Sequence, residues 1–337
     1  MHSNCRAARG GETVYVIGEQ AFSEPELLDR LIARRDREAG GWDESILGSR
    51  VLRKAFLRAG CDAVEAILQR DGWVQVSLGL EKPPEPELYA AIAESVETLS
   101  AVVGLRNMFF MHKPPGLRLR FQSVPVDEPR LRCELNRQLE AWRDQRLIPG
   151  WSFEIYEPET LLFGGAGAMD HVHRLFSRDS RYWLRHHAGG RGETEALVNS
   201  LVLLRALFTG LGIVDWEDLG VWDCVRSRTG RRFPEGVDAA SGEVAAMSRI
   251  LVGLWNDPSR VFQLLSAAEA EELDRAAQDI AALASLWKSD VLETGSSSIG
   301  PRASAALATI FLLNRAGVSL EKQILATEAL STRQVLE

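Results

Sequence analysis

The chain has 337 residues, 45% of them hydrophobic, and a formal net charge of −8. That is enough for one large or two modest domains, and the acidic balance argues against broad nucleic-acid binding. Four cysteines (Cys5, Cys61, Cys133, Cys224) lie far apart without CxxC or Cys/His ligand spacing, so they read as free thiols of a reducing cytoplasm.

The first residues, MHSNCRAARGGETVYVIG, contain no apolar stretch after the basic ones, so no signal peptide is expected. TVYVIG (13–18) reads as a strand, and SEPELLDRLIARRDRE as a helix with Ser23 as its N-cap. Residues 44–69 have helical spacing: Leu52, Phe56 and Leu57 form one stripe, with Arg50, Arg53, Lys54 and Arg58 around it. That is either a solvated surface helix or a docking face for an acidic peptide. GWVQVSLGL (72–80) alternates as a strand does, and 83–104 has the proline start and glycine stop of a helix. In MFFMHKPPGLRLRFQSV two strands flank a Pro114–Pro115–Gly116 corner. Alternation along the second strand puts Leu117, Leu119 and Phe121 on one face, with Arg118 and Arg120 together on the other. The two arginines are then either a wet strand face or a paired clamp for anions and carbonyls.

An amphipathic helix is expected over 128–146 and a strand at WSFEIY (151–156), with mostly helix after Gly165. The longest apolar runs, 200–214 and 303–313, are interrupted by Arg205 or too short to span a bilayer. A cytoplasmic protein without membrane contact is the expectation. Strands in the first half and helices in the second predict an α+β fold, with antiparallel strands packed against a largely helical second half. No linker forces a boundary, so residues 1–337 are taken as one catalytic domain, with 1–70 a basic helical region and 71–337 the core.

Gly164, Gly165 and Gly167 form GGxG, not GxGxxG, and fit a tight strand-to-helix turn better than a dinucleotide loop. His171 and His173 stand at i,i+2, poor geometry for sharing a metal, and His186 and His187 are adjacent; neither a metal nor another cofactor is expected. Asp179–Ser180 is a candidate brace for a following helix. TGSSSIGPR (294–302) either satisfies a helix N-terminus or offers hydroxyl donors to a substrate carbonyl. Asn314–Arg315, at the end of an apolar helix, either caps carbonyls or reaches into a cleft. No GxSxG elbow supports hydrolysis.

Taken in order, PGLRLRF (115–121), YEPETLLFGG (156–165), AMDHVHRLFSRDS (168–180) and NRAG (314–317) resemble the C-terminal elimination domain of lantibiotic dehydratases, the thiopeptide-type bacteriocin biosynthesis family. Members carry HxRxRF, YxxExxRYGG, an F..DS helix and HxxxNRxxG; the resemblance runs from about Trp73 to Gly317, without the large glutamylation domain. It implies arginines that hold a glutamyl group and a histidine that moves protons. This chain keeps Arg118 and Arg120 but has Leu162 and Phe163 in place of the arginine and tyrosine of RYGG, and Ile310 in place of the histidine. Isoleucine cannot shuttle a proton, and fewer arginines weaken carboxylate capture.

The resemblance therefore implies a pyridine synthase of the thiopeptide type. Its substrate would be a leader-bearing precursor peptide containing thiazoles and dehydroalanines. Arg118 and Arg120 would grip substrate carbonyls, while Tyr156, Glu159, Ser297 and Ser298 would move protons or stabilise an iminol. Asp179, Ser180, Asn314 and Arg315 would shape the pocket, and Arg50, Arg53, Lys54 and Arg58 would hold the leader. A split glutamate-elimination protein and a non-catalytic leader-binding scaffold are the alternatives.

Overall fold

The computed structural model describes residues 5–7, 13–17, 20–23, 72–113, 116–235 and 242–333. Backbone contacts divide the chain into two units, Met1–Cys61 and Asp62–Glu337. In the first unit, β1 (Cys5–Ala7), β2 (Thr13–Ile17) and β3 (Gln20–Ser23) form an antiparallel sheet in that order. Ser23 closes β3 opposite Val14. The helices expected after it, with Arg50, Arg53, Lys54 and Arg58, lie outside the described residues.

The second unit is built on a four-stranded antiparallel sheet in the order β5–β6–β4–β7. Its strands are β4 (Trp73–Gly79), β5 (Asn107–Lys113), β6 (Gly116–Gln122) and β7 (Trp151–Glu154). Lys113 pairs with Gly116, so the turn falls on positions 114 and 115, outside the described residues. The register sorts side chains by face. Val74, Val76 and Leu78 of β4, Leu117, Leu119 and Phe121 of β6, and Met108 and Phe110 of β5 are buried in the core. Helices α1 (Pro86–Val103) and α2 (Glu128–Asp144) add Ile92, Val96, Leu99, Leu131, Leu135 and Leu139 to the same core. Gly104, in the left-handed conformation at φ 69°, ends α1.

From residue 166 onward the chain is helical: α3 (Ala166–Ala188), α4 (Glu193–Gly210), α5 (Glu217–Thr229), α6 (Gly242–Asn256), α7 (Ala267–Trp287), α8 (Pro301–Arg315) and α9 (Leu320–Ser331). The expected α+β architecture is the one observed. Helix α7 starts with a capping box in which Ser266 and Glu269 satisfy each other's backbone N–H. Among the described residues no helix is long and apolar enough to cross a membrane.

Helix α3 joins the two halves. It lies along β5, whose outer edge presents unpaired N–H groups, and Ser177 and Ser180 accept from the N–H of Met108 and Phe110 at 3.0 and 3.3 Å. A helix laid on the edge in this way satisfies donors that would otherwise invite another strand. Asp179 and Ser180 therefore sit within α3 and do not brace a following helix; no breaker interrupts the helical run from Ala166 to Ala188. Asp179 instead receives two bonds from Arg315 at the end of α8, Nε to Oδ1 at 2.8 Å and Nη2 to Oδ2 at 2.7 Å, with both side chains buried. The guanidinium lies 4.0 Å from the centroid of Phe176, and its Nη1 reaches the Met111 sulfur at 3.5 Å.

Removing one partner of such a pair leaves a buried charge uncompensated, which costs about 3–5 kcal/mol. Asp179→Leu or Arg315→Met alone is expected to lower the unfolding free energy measured in urea by that order, with a matching fall in midpoint. The double variant should recover most of the loss, because it buries no orphaned charge. A single variant with a wild-type midpoint would show that the pair does not hold α8 to α3.

Candidate active site

Strand β6 carries Arg118 and Arg120 on the sheet face opposite Leu117, Leu119 and Phe121, as the alternation predicts. Cross-strand register places Gln75 beside Arg120 and Ser77 beside Arg118 on β4, and Glu154 beside Gln75 on β7. The two arginines have different surroundings. Arg118 is partly exposed and stands 3.7 Å from the Glu154 carboxylate, a contact worth little in water. It lines an open cavity of about 490 Å³ together with Ser77, Lys113, Trp151, Ser152 and Glu154. The neighbouring Ser77 hydroxyl, a 2.8 Å hydrogen bond from Gln75 Nε2 and the charges of Arg118 and Arg120 hold the Glu154 carboxyl below the usual carboxylate range.

Arg120 is buried. Its Nε donates to Gln75 Oε1 at 2.7 Å, and its guanidinium lies over Tyr156, 4.5 Å from the ring centroid, and near Phe109 at 5.1 Å. Burial weakens its hold on the proton, and the charge of the Glu159 carboxylate opposes that. Among the described residues Arg120 Nη1 and Glu159 Oε2 are buried without a hydrogen-bond partner. A buried guanidinium N–H and a carboxylate oxygen left over in one cluster are a donor and an acceptor available to a bound group.

Tyr156 follows β7 and is buried against Trp73, at 4.9 Å between centroids. Its hydroxyl is 2.8 Å from His173 Nε2 on α3. The spacing of His173 argues against a metal ligand, and its place beside Tyr156 is one that local pattern cannot show. Burial, aided by the charge of Arg120, drops its pKa to about 3, so the ring is neutral. The i,i+2 spacing does send the two histidines apart: His171 Nε2 faces Asp290 at 3.7 Å. Among the described residues no cluster of His, Cys, Asp and Glu is arranged to hold a metal.

The remaining candidates are spread out. Ser297 uses its hydroxyl within its own turn, donating to Ile299 O at 2.9 Å and accepting from Ile299 N at 3.2 Å. Ser298 is exposed, and its N–H donates to Gly164 O at 3.1 Å. The GG turn accepts this loop because Gly164 has φ 89° and a Cβ there would lie 2.1 Å from Ser297 Oγ. Phe163 packs in the core against Phe176 and Phe311, Leu162 is half-exposed, and Ile310 is partly buried against the core. Burial pushes the Asp179 carboxyl up, to about 6, while Arg315 pulls the other way.

Asn314 belongs to a second feature. His112 accepts or donates at 2.7 Å with Tyr89 Oη through Nε2, and its Nδ1 is 2.8 Å from Asn314 O. His187 Nε2 is 3.0 Å from Arg315 O. Two imidazoles thus satisfy the last carbonyls of α8, and with Tyr89 and Gly317 they line a cavity of about 590 Å³. In MFFMHK, alternation already places His112 on the core face with Phe110, the one signal that could have flagged it.

The chain belongs to the lantibiotic biosynthesis dehydratase C-terminal family, whose model matches residues 73–334. Among solved structures it is similar to the tRNA-dependent lantibiotic dehydratase MibB from Microbispora sp. 107891, with a TM-score of 0.54 and 19% identity over 77% of this chain. The match spans 27% of the MibB chain, and at that identity it shows a shared fold. No curated protein matches the chain.

The buried imidazoles make stability depend on pH. His173 and His186 are held at about 3 and His187 at about 4, each lowered from 6.5, mainly by burial. Folded values below the unfolded one mean that the unfolded chain takes up protons first as pH falls below 6.5. Their contribution is complete above that value and is lost progressively below it. The urea midpoint should fall from about pH 7.5 to about pH 5, and His187→Gln should flatten the slope. A slope that His187→Gln leaves unchanged would contradict this account of the ring.

Proposed function

We propose that the chain is a pyridine-forming macrocyclase acting on a leader-bearing, thiazole- and dehydroalanine-containing peptide. One observation carries the reading: Arg118 and Arg120 share one sheet face, Arg118 lining an open cavity and Arg120 buried with an unpartnered Nη1, while Leu162 and Ile310 stand where the family pattern has its arginine and histidine. The site thus keeps hydrogen-bond donors for carbonyl oxygens, and at position 310 it has no titratable group.

The chemistry asks for what such a site supplies. An amide next to one dehydroalanine moves its N–H proton to its oxygen, giving an iminol and a 2-azadiene. The azadiene and the second dehydroalanine form two carbon–carbon bonds. Loss of water and of the leader as a carboxamide then makes the ring aromatic. Arg118 and Arg120 hold carbonyl oxygens as negative charge grows on them. Glu159 is the candidate acceptor for the amide proton, and Tyr156 a group for the iminol oxygen. Holding two distant alkenes in contact supplies about 7–11 kcal/mol of such a barrier.

A second reading, elimination of glutamate from a glutamylated peptide, is favoured by one feature: the Tyr156–His173 contact puts an imidazole near Arg120 despite Ile310. Two substrates separate the readings. A dehydroalanine-containing precursor should lose the mass of water plus leader and gain pyridine absorbance. Release of glutamate from a glutamylated precursor would establish elimination in its place, and binding of either peptide without change would establish a scaffold.

Arg120→Ala is expected to lower kcat by about 100-fold, the cost of removing one preorganised donor to a developing oxyanion. Arg118→Ala should cost less, because that side chain is partly exposed. Initial rates followed by mass spectrometry, with circular dichroism to confirm folding, test this; unchanged rates in both variants would remove the clamp.

A further inference from the structure

The neighbours of the Tyr156 oxygen define what that oxygen offers a ligand. His173 is its hydrogen-bond partner, at 2.8 Å, and the imidazole is wedged between Trp73 at 4.6 Å and Phe109 at 5.9 Å between centroids. The ring cannot turn without displacing one of the two. Its Nδ1 is buried without a partner among the described residues. A neutral imidazole carries one N–H, so two arrangements exist. With the proton on Nδ1, a buried N–H is orphaned and the phenol donates to Nε2. With the proton on Nε2, the Nδ1 lone pair is orphaned, the phenol accepts, and its own O–H is left over. Each arrangement thus leaves one donor, the fixed ring N–H or the phenolic O–H, and only the hydroxyl can rotate toward an acceptor, which favours the second.

We propose that His173 is a positioning residue whose Nε2–H donates to the Tyr156 oxygen, leaving the phenolic proton for the carbonyl oxygen of a bound peptide amide. This rests on the peptide-amide reading of the site. Arg120 lies over the same ring, and its Nη1 has no partner among the described residues. Burial and the Glu159 charge push the Tyr156 phenol up and Arg120 offsets this only in part, so the phenol keeps its proton at neutral pH and can donate it in a hydrogen bond. A phenol and a guanidinium that both donate suit a neutral carbonyl oxygen becoming an iminol oxygen. The imidazole itself takes no proton in this arrangement: Arg120 faces it from β6, Tyr156 from the loop after β7, and Trp73 and Phe109 from β4 and β5.

Histidine-selective ¹⁵N NMR of the wild-type protein at neutral pH tests the tautomer directly. The expected spectrum has His173 protonated on Nε2 and unprotonated on Nδ1; a proton on Nδ1, or on both nitrogens, overturns the proposal. Kinetics on the dehydroalanine precursor test the consequence. Tyr156→Phe and His173→Leu should each lower kcat by about 100-fold with little change in KM, and the double variant should lose no more than either. His173→Gln, whose amide N–H reaches the same oxygen, should recover activity to within about tenfold of wild type. Multiplying losses in the double variant, or no recovery with glutamine, count against His173 as the residue that orients the phenol. Should His173→Leu fail to fold, the tautomer and the glutamine variant still decide. If the wild type does not cyclise the precursor, the reaction reading falls, while the spectrum still reports which way the phenol is turned.

Discussion

The bidentate bond between Arg315 and Asp179 is the constraint on which the second unit depends. Residues 136 positions apart are locked with both charges out of water, and the same guanidinium rests on Phe176 of α3 and touches Met111 of β5. Desolvating two charges is so expensive that the arrangement tolerates little change in angle or distance. It therefore acts as a registration device for α8, α3 and the sheet. The last carbonyls of α8 are held from the other side by His112 and His187, so the helix end is fixed in position and in rotation.

That fixed frame explains the asymmetry of the polar face. Arg120, Tyr156 and His173 lie deep, among Trp73 and Phe109, where each polar contact is strengthened by low dielectric. Arg118 and Glu154 line the open cavity, where water screens them.

Much of the frame was legible because it is local. The alternation in GLRLRF, the proline and glycine limits of α1 and the turn before α3 each follow from neighbours within a few residues. The contacts that define the deep cluster are not local. Nothing in DHVHRLFSRDS tells that His173 will meet a tyrosine 17 positions earlier, or that Asp179 will find an arginine beyond residue 300. The local pattern offers Asp179–Ser180 as a brace for a following helix, because such residues compete for nearby backbone groups; in α3 their oxygens are claimed by β5 and α8. The Ser297 hydroxyl suits a turn or a site equally in sequence, and only the folded loop, closed against Gly164, shows its oxygen used within its own turn.

Strand β6 divides its labour by parity. Residues 117, 119 and 121 belong to the core, and residues 118 and 120 to the polar face, so neighbouring positions answer to different selective demands. The polar side is itself uneven: Arg118 is partly exposed, while Arg120 is buried against Phe109 and Tyr156. Position 118 is therefore the one a laboratory library can vary freely, whereas any exchange at 120 must first be accommodated by the aromatic side chains around it.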